Sequence, residues 1–182
     1  MVPNHAVLLR TWEEEGYVRV PKAVPFFYVL RYAAWRQMES QPLVGSRYHH
    51  QSIWDIRSMP EIYSAFAVIL NTPALWAELC KPESADALGL LSVNINGSSV
   101  TLQEEEQIVV LEAKLSELII LDQRRFRIIG QHEPHWLLLG YIPAQENNPG
   151  LVKKREQEYL AGQATPVFLT ELGQQLLGLH RW

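Results

Sequence analysis

At 182 residues, 47% of them hydrophobic, the chain is long enough to bury the core of one domain and short for two, so a single domain over 1–182 is expected. Its 16 Lys and Arg stand against 20 Asp and Glu, which leaves no positive excess to displace counterions from a phosphate backbone and argues against a nucleic-acid partner. The lone cysteine, Cys80, excludes an intramolecular disulfide framework and a cysteine-based zinc site. No apolar run approaches the roughly 20 residues of a membrane span, and the start turns charged at "TWEEEG" too early for a signal peptide, so a cytoplasmic protein with no membrane partner is expected.

In chain order, "NHAVLLRTWEEEG" predicts a short helix that starts after Asn4 and stops at Gly16. "YVRVPKAVP" alternates Tyr17 and Arg19 against Val18 and Val20, a short strand ended by prolines. From Pro25, the spacing of Phe26, Val29, Leu30, Ala33 and Ala34 predicts an amphipathic helix that Pro42 and Gly45 end. Ser58 and Glu61 form a capping-box pattern ahead of a helix through Ile62, Phe66 and Ile69, stopped by Asn71 and Pro73. "TPALWAEL" is expected to add one or two helical turns, with Leu75 and Trp76 in the core.

The character changes after "KPESADALG". Two alternating runs meet around Asn96-Gly97, a hairpin signal. "QIVVLEAKLSELIILDQRRFRIIGQHEPHWLLLGYIP" then supplies three or four strands, broken at Lys114–Ser116, near Asp122-Gln123, and at Gly130–Pro134. The expected layout is a mainly helical frame over 1–80, a β unit over 90–144, and C-terminal helices over 150–182: "LVKKREQEYLAG", solvated, and a final short "TELGQQLLGL".

Three clusters invite a chemical reading. His49-His50 with Asp55 could suggest a metal, but adjacent residues point to opposite faces of a strand and diverge by about 100° in a helix. In "GQHEPHW", His132, Glu133 and His135 crowd into a proline-containing turn. That is poor geometry for a facial triad but sufficient for a metal-free acid/base pair. In "DQRRFR", Asp122 precedes Arg124, Arg125 and Arg127. Arg125 and Arg127 could share a face and hold a carboxylate or phosphate, or the arginines could simply neutralise the acidic run Glu104–Glu106. No Gly-rich phosphate loop, G-x-S-x-G elbow, CxxC pair or H-E-x-x-H occurs.

Four blocks, "TWEEEGYVRVPKAVP", "HHQSIWDIRSMPEIYSAFAVILNTPALW", "ELIILDQRRFRIIGQHEPHWLLLGYIPA" and "TPVFLTELGQQLLGLHRW", resemble in order segments of phytanoyl-CoA dioxygenase-like proteins. The resemblance implies an α+β fold, a reduced double-stranded β-helix of the jelly-roll or cupin-like kind packed with N- and C-terminal helices. Its members use Fe(II), held by H-x-D and a distal histidine, and 2-oxoglutarate, held by an arginine. This chain has no H-x-D: the residues two after its six histidines are Val7, Gln51, Ser52, Pro134, Leu137 and Trp182. Arg127 stands at the distal histidine's place and Pro134-His135 at that of the P-R pair, and only about 40 residues separate Trp76 from Glu117, where the family carries its catalytic segment.

The expectation is therefore a relative that binds neither metal nor cofactor and works as an isomerase- or cyclase-type enzyme on an apolar small molecule in a biosynthetic pathway. Asp122, Arg127, His132, Glu133, His135 and Tyr141 are its candidate catalytic residues. Two alternatives stay open: a non-catalytic homodimer or partner-binding protein, since a shortened barrel leaves strand edges to cover, and a dioxygenase with unrecognised ligands.

Overall fold

The computed structural model describes residues 4–39, 49–79, 86–129, 135–162 and 167–182. It opens with α1 (His5–Glu15), β1 (Tyr17–Val20), α2 (Phe26–Met38), α3 (Gln51–Arg57), α4 (Pro60–Ile69) and β2 (Leu75–Ala77). Six strands follow: β3 (Ala87–Ser92), β4 (Ser98–Glu104), β5 (Gln107–Ala113), β6 (Leu118–Asp122), β7 (Arg127–Ile129) and β8 (Trp136–Pro143). The helices α5 (Pro149–Gly162) and α6 (Glu171–Leu177) end the chain.

The strands form two antiparallel sheets, a large one in the order β1-β6-β3-β8-β2 and a small one in the order β5-β4-β7. The chain crosses between them at β3–β4, β5–β6, β6–β7 and β7–β8, while β2 and β3 both lie in the large sheet. The fold is α+β, a jelly roll flanked by helices. Apart from β1, where Arg19 is exposed, the strands of the large sheet are buried on both faces and read as near-continuous apolar runs. Leu91, Leu118, Ile120, Leu137, Leu139 and Tyr141 point to the helices, where they join Trp54, Ile62 and Phe66. Their neighbours Leu88, Leu90, Ile119, Leu121, Trp136 and Leu138 face the small sheet.

Local signals explain most boundaries. The Asn4 side chain caps α1 by accepting from the Ala6 N–H at 3.0 Å. Gly16 ends that helix at φ 72°, a left-handed backbone conformation that favours glycine. Thr170 caps α6 through the Gly173 N–H, and Gly178 closes it at φ 93°.

Several expectations are corrected. The buried stripe of α2 is Val29 and Tyr32, rotated from the predicted one, and Phe26 and Leu30 are exposed. Its stop at Pro42 and Gly45 lies outside the described residues, as does Cys80. The capping box is not formed: Met59 precedes α4 without a side-chain cap, Pro60 supplies the fixed φ of the first turn, and Ser58 instead ends α3. "LWA" is an edge strand, because Trp76 and Ala77 pair with Ile142 and Tyr141 of β8. Leu75 and Trp76 are buried as expected.

Asn96-Gly97 does not close a hairpin, because β3 and β4 lie in different sheets. Gly97, at φ 84° and with 2.9 Å between a Cβ and the Ala113 carbonyl, turns the chain from one sheet to the other. The hairpin of this region is β4–β5, and the acidic pair Glu105-Glu106 is its turn. β1 and β2, from the expected helical frame, both belong to the large sheet. α5 is anchored rather than fully solvated, since Arg155 and Tyr159 are buried.

Candidate functional site

In a jelly roll the natural place for a ligand is the space between the sheets and its two open ends. Here that space is filled with carbon. Val100, Leu102, Leu111 and Ala113 of the small sheet meet Leu88, Leu90, Ile119, Leu121, Trp136 and Leu138 of the large one, with Phe126 inserted beside Tyr17 at a ring-centroid distance of 6.2 Å. An iron site needs histidine and carboxylate donors converging on one point. Among the described residues no three His, Cys, Asp or Glu side chains do so. These interior residues do not fit the metal that the family resemblance implies.

The candidate residues named from sequence are dispersed. Asp122, at the end of β6, holds Arg124 in a two-pronged pair, Nε to Oδ1 at 2.9 Å and Nη2 to Oδ2 at 2.8 Å. That hydrogen-bonded guanidinium keeps the Asp122 carboxyl below its usual range despite partial burial. Arg125 bridges Glu104 at 2.9 Å and reaches toward the Glu13 and Glu14 carbonyls at the end of α1. Part of the arginine cluster therefore does neutralise the acidic run. With Arg127 these arginines line a shallow recess of about 320 Å³ at this end.

His135 sits at the opposite end, where its carbonyl accepts from the Ser98 hydroxyl and the Val93 N–H, both at 3.0 Å. Arg127 pairs with Gln103, five residues along β4 from Ser98, so roughly 17 Å separates the two ends. Tyr141 belongs to neither. Its side chain faces the helices, donates to the Arg57 carbonyl at 2.8 Å, and packs 4.5 Å from Phe66. Burial raises the pKa of its phenol. Asp122, Arg127, His135 and Tyr141 are thus not gathered at one point, while His132 and Glu133 lie outside the described residues.

The histidine pair resolves into two packing roles. His50 is the N-cap of α3, its Nδ1 beside the Ser52 N–H at 3.3 Å and its ring stacked on Trp35 at 4.0 Å. His49 is buried edge-on to Tyr159 at 5.4 Å. Asp55 pairs with Arg31 and accepts from Gln51 at 2.7 Å. Burial first, and the Arg57 charge second, lower the His49 imidazole from 6.5 to about 4. The unfolded chain therefore binds a proton that the folded chain refuses. This stabilisation is complete above pH 6.5 and is lost as pH falls from about 6.5 to about 4, by on the order of 3 kcal/mol. Urea midpoints across that window should fall more steeply in the wild type than in His49→Phe; equal slopes would contradict this assignment.

Sequence reading missed a cleft of about 790 Å³ at the His135 end of the sandwich. Arg19, Asn96, Ser98, Ser99, Glu112 and Lys114 supply its polar lining, and Ile95, Ala113 and Leu115 its apolar lining. Arg19 Nε donates to Glu117 Oε1 at 2.8 Å and Nη2 to the Glu112 carbonyl at 2.6 Å. The Glu117 hydrogen bond raises the Arg19 pKa further, so the guanidinium is always charged. Glu117 is itself fixed by the Lys114 N–H at 3.0 Å. Five guanidinium N–H groups exceed what these two partners use, so Arg19 can address a ligand while staying oriented. The only sequence signal was Arg19 on the solvent side of an alternating strand.

No protein-family model matches the sequence, and no curated protein does. Among solved structures the chain is similar to the non-heme alpha ketoglutarate dependent epimerase SnoN from nogalamycin biosynthesis, with a TM-score of 0.57 and 10% identity, covering 77% of this chain and 83% of that one. SnoN in complex with Fe3+, alpha ketoglutarate and nogalamycin RO gives a TM-score of 0.55 at 11% identity, covering 77% and 84%. A prolyl 4-hydroxylase from Phytophthora capsici gives 0.50 at 13%, covering 96% of this chain and 78% of that one. At such identities the likeness is one of fold: this chain shares the jelly roll on which these 2-oxoglutarate-dependent enzymes are built.

Proposed function

We propose that this protein is a metal-independent enzyme of the isomerase or cyclase type on a dioxygenase-like jelly roll. Its substrate is a small molecule with an apolar body and an acidic group, held in the cleft at the Arg19 end. The observation that carries this reading is the apolar interior, where among the described residues no three His, Cys, Asp or Glu side chains converge, together with the cleft at the end of the sandwich. SnoN, an epimerase from a biosynthetic pathway, supports the choice of reaction type.

Arg19 and Lys114 would hold the acidic group, with Ser99 and Asn96 adding hydrogen bonds. Ile95 and Leu115 would cover the apolar part, which refines the fully apolar substrate expected from sequence. Of the six candidate catalytic residues, His135 is at this end, and we assign to its imidazole the movement of a proton between positions of a bound substrate. Asp122, Arg127 and Tyr141 have no part in this reading.

Thermal-shift titration of the metal-free protein with a panel of alkyl and aryl carboxylates tests the site. Stabilisation that persists in EDTA and weakens about tenfold in Arg19→Ala, the loss expected for one charge-assisted pair, is the predicted result. Binding that needs Fe(II), or that ignores both Arg19→Ala and Lys114→Ala, would contradict it.

A further inference from the structure

We propose that β5 is the contact through which two copies of the chain pair, antiparallel, into one continuous six-stranded sheet. It does not rest on the reaction proposed above, although Glu112 and Lys114 also line that cleft. Among the described residues β5 is an edge of the small sheet, seven residues long and paired on one side only. Its register with β4 runs one to one without a bulge from Gln107 to Ala113. It carries no proline or lysine, and Ile108 and Val110 are 65% and 58% exposed. Edges of this kind are usually blunted, and an unblunted one is a template for another strand.

The direction of the free hydrogen-bonding groups follows from the turn. A two-residue connection at Glu105-Glu106 makes Glu104 and Gln107 a hydrogen-bonded pair. Alternation then turns the N–H and C=O groups of Ile108, Val110 and Glu112 away from β4. The Glu112 carbonyl accepts from Arg19, a residue of the other sheet, in agreement with that direction, and its second lone pair remains available.

Charge selects the occupant of this edge. The strand is flanked by Glu106 before it and Lys114 after it, both exposed. Antiparallel pairing centred on Val110 sets Val110 against the partner's Val110, Ile108 against the partner's Glu112, and Glu106 against the partner's Lys114. The last match occurs at both ends, because the twofold axis repeats it. Parallel pairing would place like charges together, so a second copy in the antiparallel sense is the strand that satisfies this edge.

Sedimentation of the full chain over a range of concentrations tests the proposal. A dimer is expected. Val110→Lys should abolish it while leaving the thermal melt of the monomer intact, since Val110 is exposed. Glu106→Lys and Lys114→Glu should each weaken it about tenfold by placing like charges at both ends, and the double variant should return close to the wild type. A chain that stays monomeric at every concentration overturns the proposal, as does a dimer indifferent to Val110→Lys and to both single charge reversals.

Discussion

Leu102→Ala is expected to destabilise the protein by about 3 kcal/mol, the usual cost of removing a large side chain from a packed core and leaving a cavity. Leu102 is fully buried at the centre of the small sheet, among side chains of both layers. The substitution separates two pictures of the interior. In a jelly roll whose interior is an open reaction chamber, a lining leucine touches water or substrate and its loss costs little stability. In a closed interior the lost transfer energy and the cavity add. Chemical denaturation reads the difference as a lower midpoint at an unchanged slope; a cost below about 1 kcal/mol would show that the interior is not packed as described.

Arg155→Ala should cost a similar amount, about 3 kcal/mol, by leaving buried carbonyls without their donor. From α5, its guanidinium donates to the Leu177 carbonyl at 3.0 Å, the Leu176 carbonyl at 3.2 Å and the Ala77 carbonyl at 2.7 Å, and lies 4.7 Å over the Trp76 ring. One side chain thus joins the end of α6, the edge strand β2 and α5. Arg155→Lys should recover only part of the loss, because a point charge cannot reproduce the planar fork. Melting temperatures of the three proteins check this. A lysine variant equal to the wild type would assign the role to charge alone.

The two-layer β fold was legible because strands buried on both faces must be apolar nearly throughout. "LIILD" and "WLLLGYIP" could be little else, and α1 announced both of its ends through Asn4 and Gly16. What misled was chemistry that serves two purposes. Asn96-Gly97 supplies a positive φ to any tight turn, so its signal cannot distinguish a hairpin from a crossing between sheets. Ser58 and Glu61 have cap spacing, but Pro60 sets the first turn of α4 on its own.

The candidate site was less legible still. Asp122 and Arg127 are five residues apart yet lie in different sheets, and His135 stands at the far end, bonded to Ser98 while Arg127 pairs with Gln103. Tyr141 differs from an interior-facing residue by one step of alternation, and a slip of one residue exchanges the faces of a strand. The Arg19 cleft had no motif to give it away, since it is assembled by the turns joining β3 to β4 and β5 to β6. Arg57 and Arg155 are buried, the latter in a helix that reads as solvated, through contacts with backbone carbonyls that sequence cannot display.

The most direct test of the central claim, that this jelly roll works without iron, is an anaerobic titration of the purified protein with Fe(II) and 2-oxoglutarate, followed by exposure to oxygen and measurement of released carbon dioxide. The predicted result is no stoichiometric iron binding and no decarboxylation above the protein-free control. Saturable binding of one iron per chain with oxygen-dependent decarboxylation would contradict it.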